Sequence, residues 1–154
     1  MTKVSKKIES NVCEISISYS TKVMPRERVQ IRNSRDIYEF LTPIFSCCME
    51  HHEEMWAIYM NNQHRVLGSA KISQGGISET TADPKIILQI ALKANATSII
   101  IAHNHPAGNP YPSSCDDKIT QKIKDGAKFL DMQLTDHVVI CDGVYYSYAD
   151  EGKI

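Results

Sequence analysis

No segment of this chain approaches the roughly 18 consecutive apolar residues that a membrane-spanning helix requires, so no span is expected. No two cysteines stand as C-x-x-C, and Cys13, Cys47, Cys48, Cys115 and Cys141 are odd in number. That argues against a disulfide framework and against a four-cysteine zinc site, and leaves most of them as small buried hydrophobes in a reducing compartment. Basic charge is not in excess either: 17 Lys and Arg stand against 18 Asp and Glu, a net charge of −1. A dedicated nucleic-acid binder carries a basic face. Only KVSKK near the start and the stretch Lys22 to Arg35 are loosely basic, and a solvated surface accounts for both. The opening MTKVSKKIESN has no apolar core of a signal peptide, so a cytoplasmic protein is expected. Repeats and low-complexity tracts are missing too. What remains is ordinary globular composition, 42% apolar and 23% charged over 154 residues, which suits one domain with a single core.

The pattern along the chain alternates between strand and helix. Residues 12–19, VCEISISY, place Cys13, Ile15, Ile17 and Tyr19 on one face, as a strand does. Ser34 can cap a helix carrying Ile37, Phe40, Leu41, Ile44 and Phe45, which Pro43 kinks or ends. Residues 1–50 therefore form an N-terminal extension or small lobe ahead of a denser pattern over 51–154. There, Met55 to Met60 is a strand, Asn61 to His64 a turn, and Arg65 to Ile72 a returning strand. Asp83-Pro84 opens a helix that turns Ile86, Ile87, Ile90, Ala91 and Ala94 inward. Thr97 to Ala102 is a nearly continuous β-branched run, the signature of a strand covered on both faces. A helix from about Ser114 to Leu130 and a hairpin of Leu134–Cys141 with Val144–Tyr148 around Asp142-Gly143 complete an α/β layered domain.

Chemistry concentrates in residues 102–116, AHNHPAGNPYPSSCD. His103 and His105 end the buried strand, and a period of two sends both imidazoles to the same face. Two neutral nitrogens converging there supply half of a tetrahedral zinc site. Strand ends in α/β sheets face the crevice where ligands bind. Pro106, Pro110 and Pro112 stiffen the loop that follows. Ser113 caps the next helix, so that Asp116 falls in its first turn with a carboxylate able to swing back over the histidines. On their own, H-x-H is as much a packing pattern as a ligand pair, and S-x-x-D is a capping box. His51, His52 and His64 read as surface histidines. His137 reads as a core residue or as a partner behind a ligand.

The ordered run HNHPAGNPYPSSCD resembles the H-x-H-P…S-x-x-D motif of the JAB/MPN metalloprotease family, and its NHPAGNPYPS stretch resembles the RadC-like branch in particular. Ala107 stands where that branch commonly has Ser. The likeness covers most of residues 53–149, including the strand start at Glu53, the Gly76 and Asp83 region and the Asp136-His137 pair. The resemblance implies a JAB/MPN domain: a cytidine deaminase-like mixed sheet flanked by helices over residues 51–154. It also implies a zinc-dependent hydrolase that cleaves a peptide or isopeptide bond with a zinc-bound water. The family's metal ligands fall on His103, His105 and Asp116. Its serine, which helps hold the tetrahedral intermediate, falls on Ser113. Its general base is a glutamate at the start of an earlier strand. Glu53 is preferred over Glu54, because Met55 and Asn61 then stand at the family's spacing. The resemblance also carries a label of DNA repair, and with it the alternative of an accessory or nucleic-acid-binding module, weakly associated with DNA and without protease activity. HNH nucleases, cytidine deaminases and amidohydrolase barrels fit less well. The first separate their histidines and asparagine, the second need H-x-E with P-C-x-x-C, and the third need a barrel of about 250 residues.

Overall fold

The computed structural model describes residues 22–75 and 82–154. The expected strand over 12–19, the KVSKK stretch, Cys13 and Gly76 lie outside the described residues. A short 3-10 turn, Pro25–Glu27, precedes helix α1 (Ser34–Phe45). Then come strands β1 (Glu54–Met60) and β2 (Val66–Gln74), helix α2 (Pro84–Lys93), strand β3 (Ser98–Asn104), helix α3 (Ser114–Phe129), and strands β4 (Gln133–Cys141) and β5 (Val144–Ser147). The cap of α1 is Asn33 rather than Ser34; its side chain accepts from the Asp36 N–H. Pro43 sits inside the last turn without ending the helix before Phe45.

The five strands form one mixed sheet in the order β2-β1-β3-β4-β5. β1 runs antiparallel to both β2 and β3, β3 and β4 are parallel, and β5 returns antiparallel to β4. The parallel pair is joined through α3, as a parallel connection requires. Side chains alternate between two apolar layers. On one face Met55, Ala57, Tyr59, Ile99 and Ile101 pack with Ile87 and Ala91 of α2 and Ile123 and Ala127 of α3. On the other, Ile58, Met60, Ile100, Ala102, Val138 and Ile140 pack with Ile37, Leu41 and Phe45 of α1. Residues 31–50, assigned from sequence to an extension or small lobe, thus lay an apolar stripe on this same sheet. In α2 one residue differs from the expectation: Ile87 and Ala91 are buried against the sheet, with Ile90 and Ala94 packed beside them, whereas Ile86 is exposed. β3 is buried along its whole length, the consequence of being central and covered on both sides.

Candidate metal centre

Parity sorts the polar residues as it sorts the core. His103 follows Ile99 and Ile101 onto the face covered by α2 and α3, whereas Asn104 turns to the α1 face. The same alternation applies where β1 begins, with Met55 opposite His103 in the register. Glu53 lies with His103 and His105: one ligand atom from each falls within 4.8 Å of the others. Glu54 lies on the opposite face.

The His105 ring is held by the loop that follows. Its Nδ1 donates to the Asn109 carbonyl at 2.7 Å, and Gly108, at φ 80°, lets the chain turn back to make that bond. A carbonyl only accepts, so Nδ1 carries the proton and Nε2 of the neutral ring carries a lone pair. Asp116 enters from α3. Ser113 is the N-cap, and the capping box is complete: the Asp116 N–H reaches Ser113 Oγ, and Asp116 Oδ2 accepts from the Ser113 N–H at 2.6 Å. The Ser113 hydroxyl donates to the same oxygen at 2.7 Å. The other oxygen, Oδ1, stands 3.3 Å from His103 Nε2, and Oδ2 stands 3.8 Å from His105 Nε2. The two Nε2 atoms are 2.9 Å apart. The structure therefore brings His103, His105, Asp116 and Glu53 to one place at the carboxyl end of β3, with Ser113 beside Asp116.

Burial alone would push the Asp116 carboxyl up. The His103 ring beside it and the two Ser113 donors outweigh burial and hold it well below the usual carboxylate range. Burial, with His103 alongside, pushes the His105 imidazole down. Acidic form and neutral form are thereby set as a metal needs them: carboxylate ionised, imidazole unprotonated. The donor set also fits zinc, which takes imidazole nitrogen and carboxylate oxygen in three-ligand sites. Nitrogen lone pairs and a carboxylate oxygen crowded within hydrogen-bond distance repel unless a proton or a cation lies among them.

A second group of metal-ligand type lies on the α1 face: Cys48, His52 and Glu54, with ligand atoms within 4.8 Å of one another. Here Glu54 Oε1 accepts from Lys71 Nζ at 3.0 Å and faces His52 Nε2 at 2.9 Å, while Oε2 accepts from the Trp56 indole at 2.8 Å. Burial pushes this carboxyl up, but the bonds from Trp56, His52 and Lys71 prevail and bring it to about 2. Burial drives the Cys48 thiol up to about 12, with Glu54 adding to it. His52, expected at the surface, is half-buried in this network.

Two residues between and behind the histidines were not singled out by motif. Asn104 is fully buried; its Oδ1 accepts from the Glu54 N–H at 2.8 Å, and its Nδ2 donates to the carbonyls of Cys48, Met49 and His52. It ties the segment leading into β1, and so Glu53, to the histidine strand. Its signal in sequence is only its place between two histidines, which parity sends to the other face. Thr120 lies one turn past Asp116 and donates to the Asp116 carbonyl. His137 is buried, with its ring stacked on that of Tyr148 at a centroid distance of 4.8 Å.

A mixed five-stranded sheet between helices, with a His-x-His strand end facing a capped aspartate, defines the JAB class of α/β domain. A family model described as the RadC-like JAB domain matches residues 31–153, and the chain belongs to that family. It is 38% identical over 123 residues to the UPF0758 protein of Flavobacterium johnsoniae, covering 80% of this chain and 53% of that protein. It is 39% identical over 142 residues to the UPF0758 protein of Porphyromonas gingivalis, covering 92% and 61%. For the UPF0758 protein of Aquifex aeolicus the identity is 36% over 129 residues, covering 84% and 54%. The chain thus spans little more than half the length of these curated relatives. Among the described residues, no helix is long and apolar enough to cross a membrane.

Proposed function

We propose that this chain is a zinc-dependent hydrolase of peptide or isopeptide bonds, with His103, His105 and Asp116 holding the metal and Glu53 acting as general base. The observation that carries the reading is the convergence of His103 Nε2, His105 Nε2 and the Asp116 carboxylate, with Glu53 within 4.8 Å of both histidines. Bound there, zinc supplies Lewis-acid chemistry: it lowers the pKa of water to about 7 and polarises a carbonyl. The chain's own residues do the rest. The Glu53 carboxylate takes the proton of the attacking water and passes it to the departing amine, so its position beside both histidines matters more than its charge alone. Ser113 orients Asp116 through two hydrogen bonds. For its hydroxyl to steady the oxyanion of the amide, as the resemblance has it, that hydroxyl turns from Asp116 Oδ2 to the substrate oxygen.

The experiment pairs metal analysis with a panel of peptide and isopeptide substrates, for wild type and Glu53→Gln. Zinc near one equivalent in both proteins, with hydrolysis lowered roughly 10²- to 10⁴-fold in the variant, is the expected result. Unchanged hydrolysis in Glu53→Gln removes Glu53 as base. A wild type that retains zinc but cleaves nothing leaves the accessory, DNA-associated alternative standing, to be tested by the salt dependence of DNA binding.

A further inference from the structure

His103 reaches the metal site through Nε2, and which of its nitrogens carries the proton decides whether it can serve there. The answer lies in a chain of hydrogen bonds behind it. Thr120 Oγ1 donates to the Asp116 carbonyl at 2.5 Å, which commits its only proton. Its oxygen can then only accept from His137 Nδ1, 2.6 Å away, so His137 carries its proton on Nδ1. His137 Nε2 is left with a lone pair facing His103 Nδ1 at 2.9 Å. His103 must donate there, and its Nε2 is left bare toward Asp116 and His105. His137 cannot turn away: it is fully buried, and Tyr148 lies nearly parallel to its ring, at 7°.

We propose that Thr120 and His137 are positioning residues that fix the tautomer of His103, a relay that starts from the backbone of α3 and ends at the metal-facing lone pair. This deepens the proposed function, since it takes His103 as a ligand. The relay also links the two ligands, because the carbonyl that commits Thr120 belongs to Asp116. His105 obtains the same tautomer by a local route, through the Asn109 carbonyl. The two histidines are thus prepared by different devices, one a loop and one a buried chain of three elements.

The test reads tautomers directly. In the metal-free wild type at about pH 8.5, long-range 1H–15N correlation should show His103 and His137 both protonated at Nδ1 alone. His103 protonated at Nε2 overturns the proposal. Thr120→Val removes the acceptor at nearly constant volume. It should shift His103 toward the Nε2–H form and weaken zinc binding roughly 10- to 100-fold. Thr120→Ser restores the hydroxyl and should stay within about threefold of wild type. Equal weakening in both variants, or wild-type affinity in Thr120→Val, overturns the relay. If Thr120→Val does not fold, the wild-type tautomers and Thr120→Ser still decide. If the wild type binds no zinc, the proposed function fails, while the metal-free spectrum continues to judge the relay.

Discussion

A histidine cluster lies on one face of the sheet where β1 begins and β3 ends, and a cysteine-histidine-glutamate cluster, drawn from the segment leading into β1 and from its first residue, lies on the other. Glu53 and Glu54 part company at the start of β1, as His103 and Asn104 do at the end of β3. Both groups have ligand atoms within 4.8 Å, so proximity alone does not tell them apart. Their protons do. The Glu54 carboxylate is already neutralised by the Lys71 ammonium and bonded by the Trp56 indole. On the other face, imidazole lone pairs and a carboxylate oxygen point at one another with their donors turned outward, to Asn109 and His137. A ligand set is marked by lone pairs left without protons, more than by the count of His, Cys and carboxylate.

The sharpest way to break this comparison is to remove a ligand from each face. His103→Ala or Asp116→Asn should abolish zinc binding, with affinity falling by more than about 100-fold, whereas His52→Ala should leave one equivalent of zinc in place. Metal analysis after exhaustive dialysis reads both. Retention of zinc in His103→Ala together with its loss in His52→Ala would reverse the assignment of the two faces.

A smaller effect tests the link between them. Asn104→Ala takes away the side-chain partner of the Glu54 N–H and of the Met49 and His52 carbonyls, while the Cys48 carbonyl keeps the His51 and His52 N–H groups. Urea unfolding should show a loss of about 3 kcal/mol. A loss under about 1 kcal/mol would mean that the faces are not coupled through this side chain.

The smallest expected effect concerns acid. A carboxyl lowered from 4.5 to about 2 on folding contributes stability that is fully present above about 4.5 and is lost as pH falls toward 2. Lys71 is half-exposed, so Lys71→Met should cost only about 1 kcal/mol at neutral pH and should flatten the decline of stability between pH 4.5 and 2. Acid titrations of stability for the two proteins check it. An unchanged profile would assign the lowered Glu54 to Trp56 and His52 alone.

Much of the layout of the candidate site was legible because it is local. The spacing of His103 and His105, the cap at Ser113 and the first-turn place of Asp116 follow from strand and helix periods alone, and α3 begins where that cap requires. The resemblance pointed to Glu53 over Glu54 by counting, and the fold places Glu53 by the histidines. His52 was not legible: its partner Glu54 and the lysine beyond it come together only when β1 and β2 pair. Nor was the use of Asn104, whose four bonds reach residues 50 to 56 positions away.

The linear chain by itself determined which elements form and which donors lie one step apart, because backbone periods and caps act over a few residues. Only the tertiary structure decided that α1 closes the second face of the sheet, that Glu53 joins histidines half the domain away, and that His137 and Thr120 stand behind His103. Those outcomes depend on strand order and register, which arise from packing across the whole sheet and leave no trace in any short window of residues.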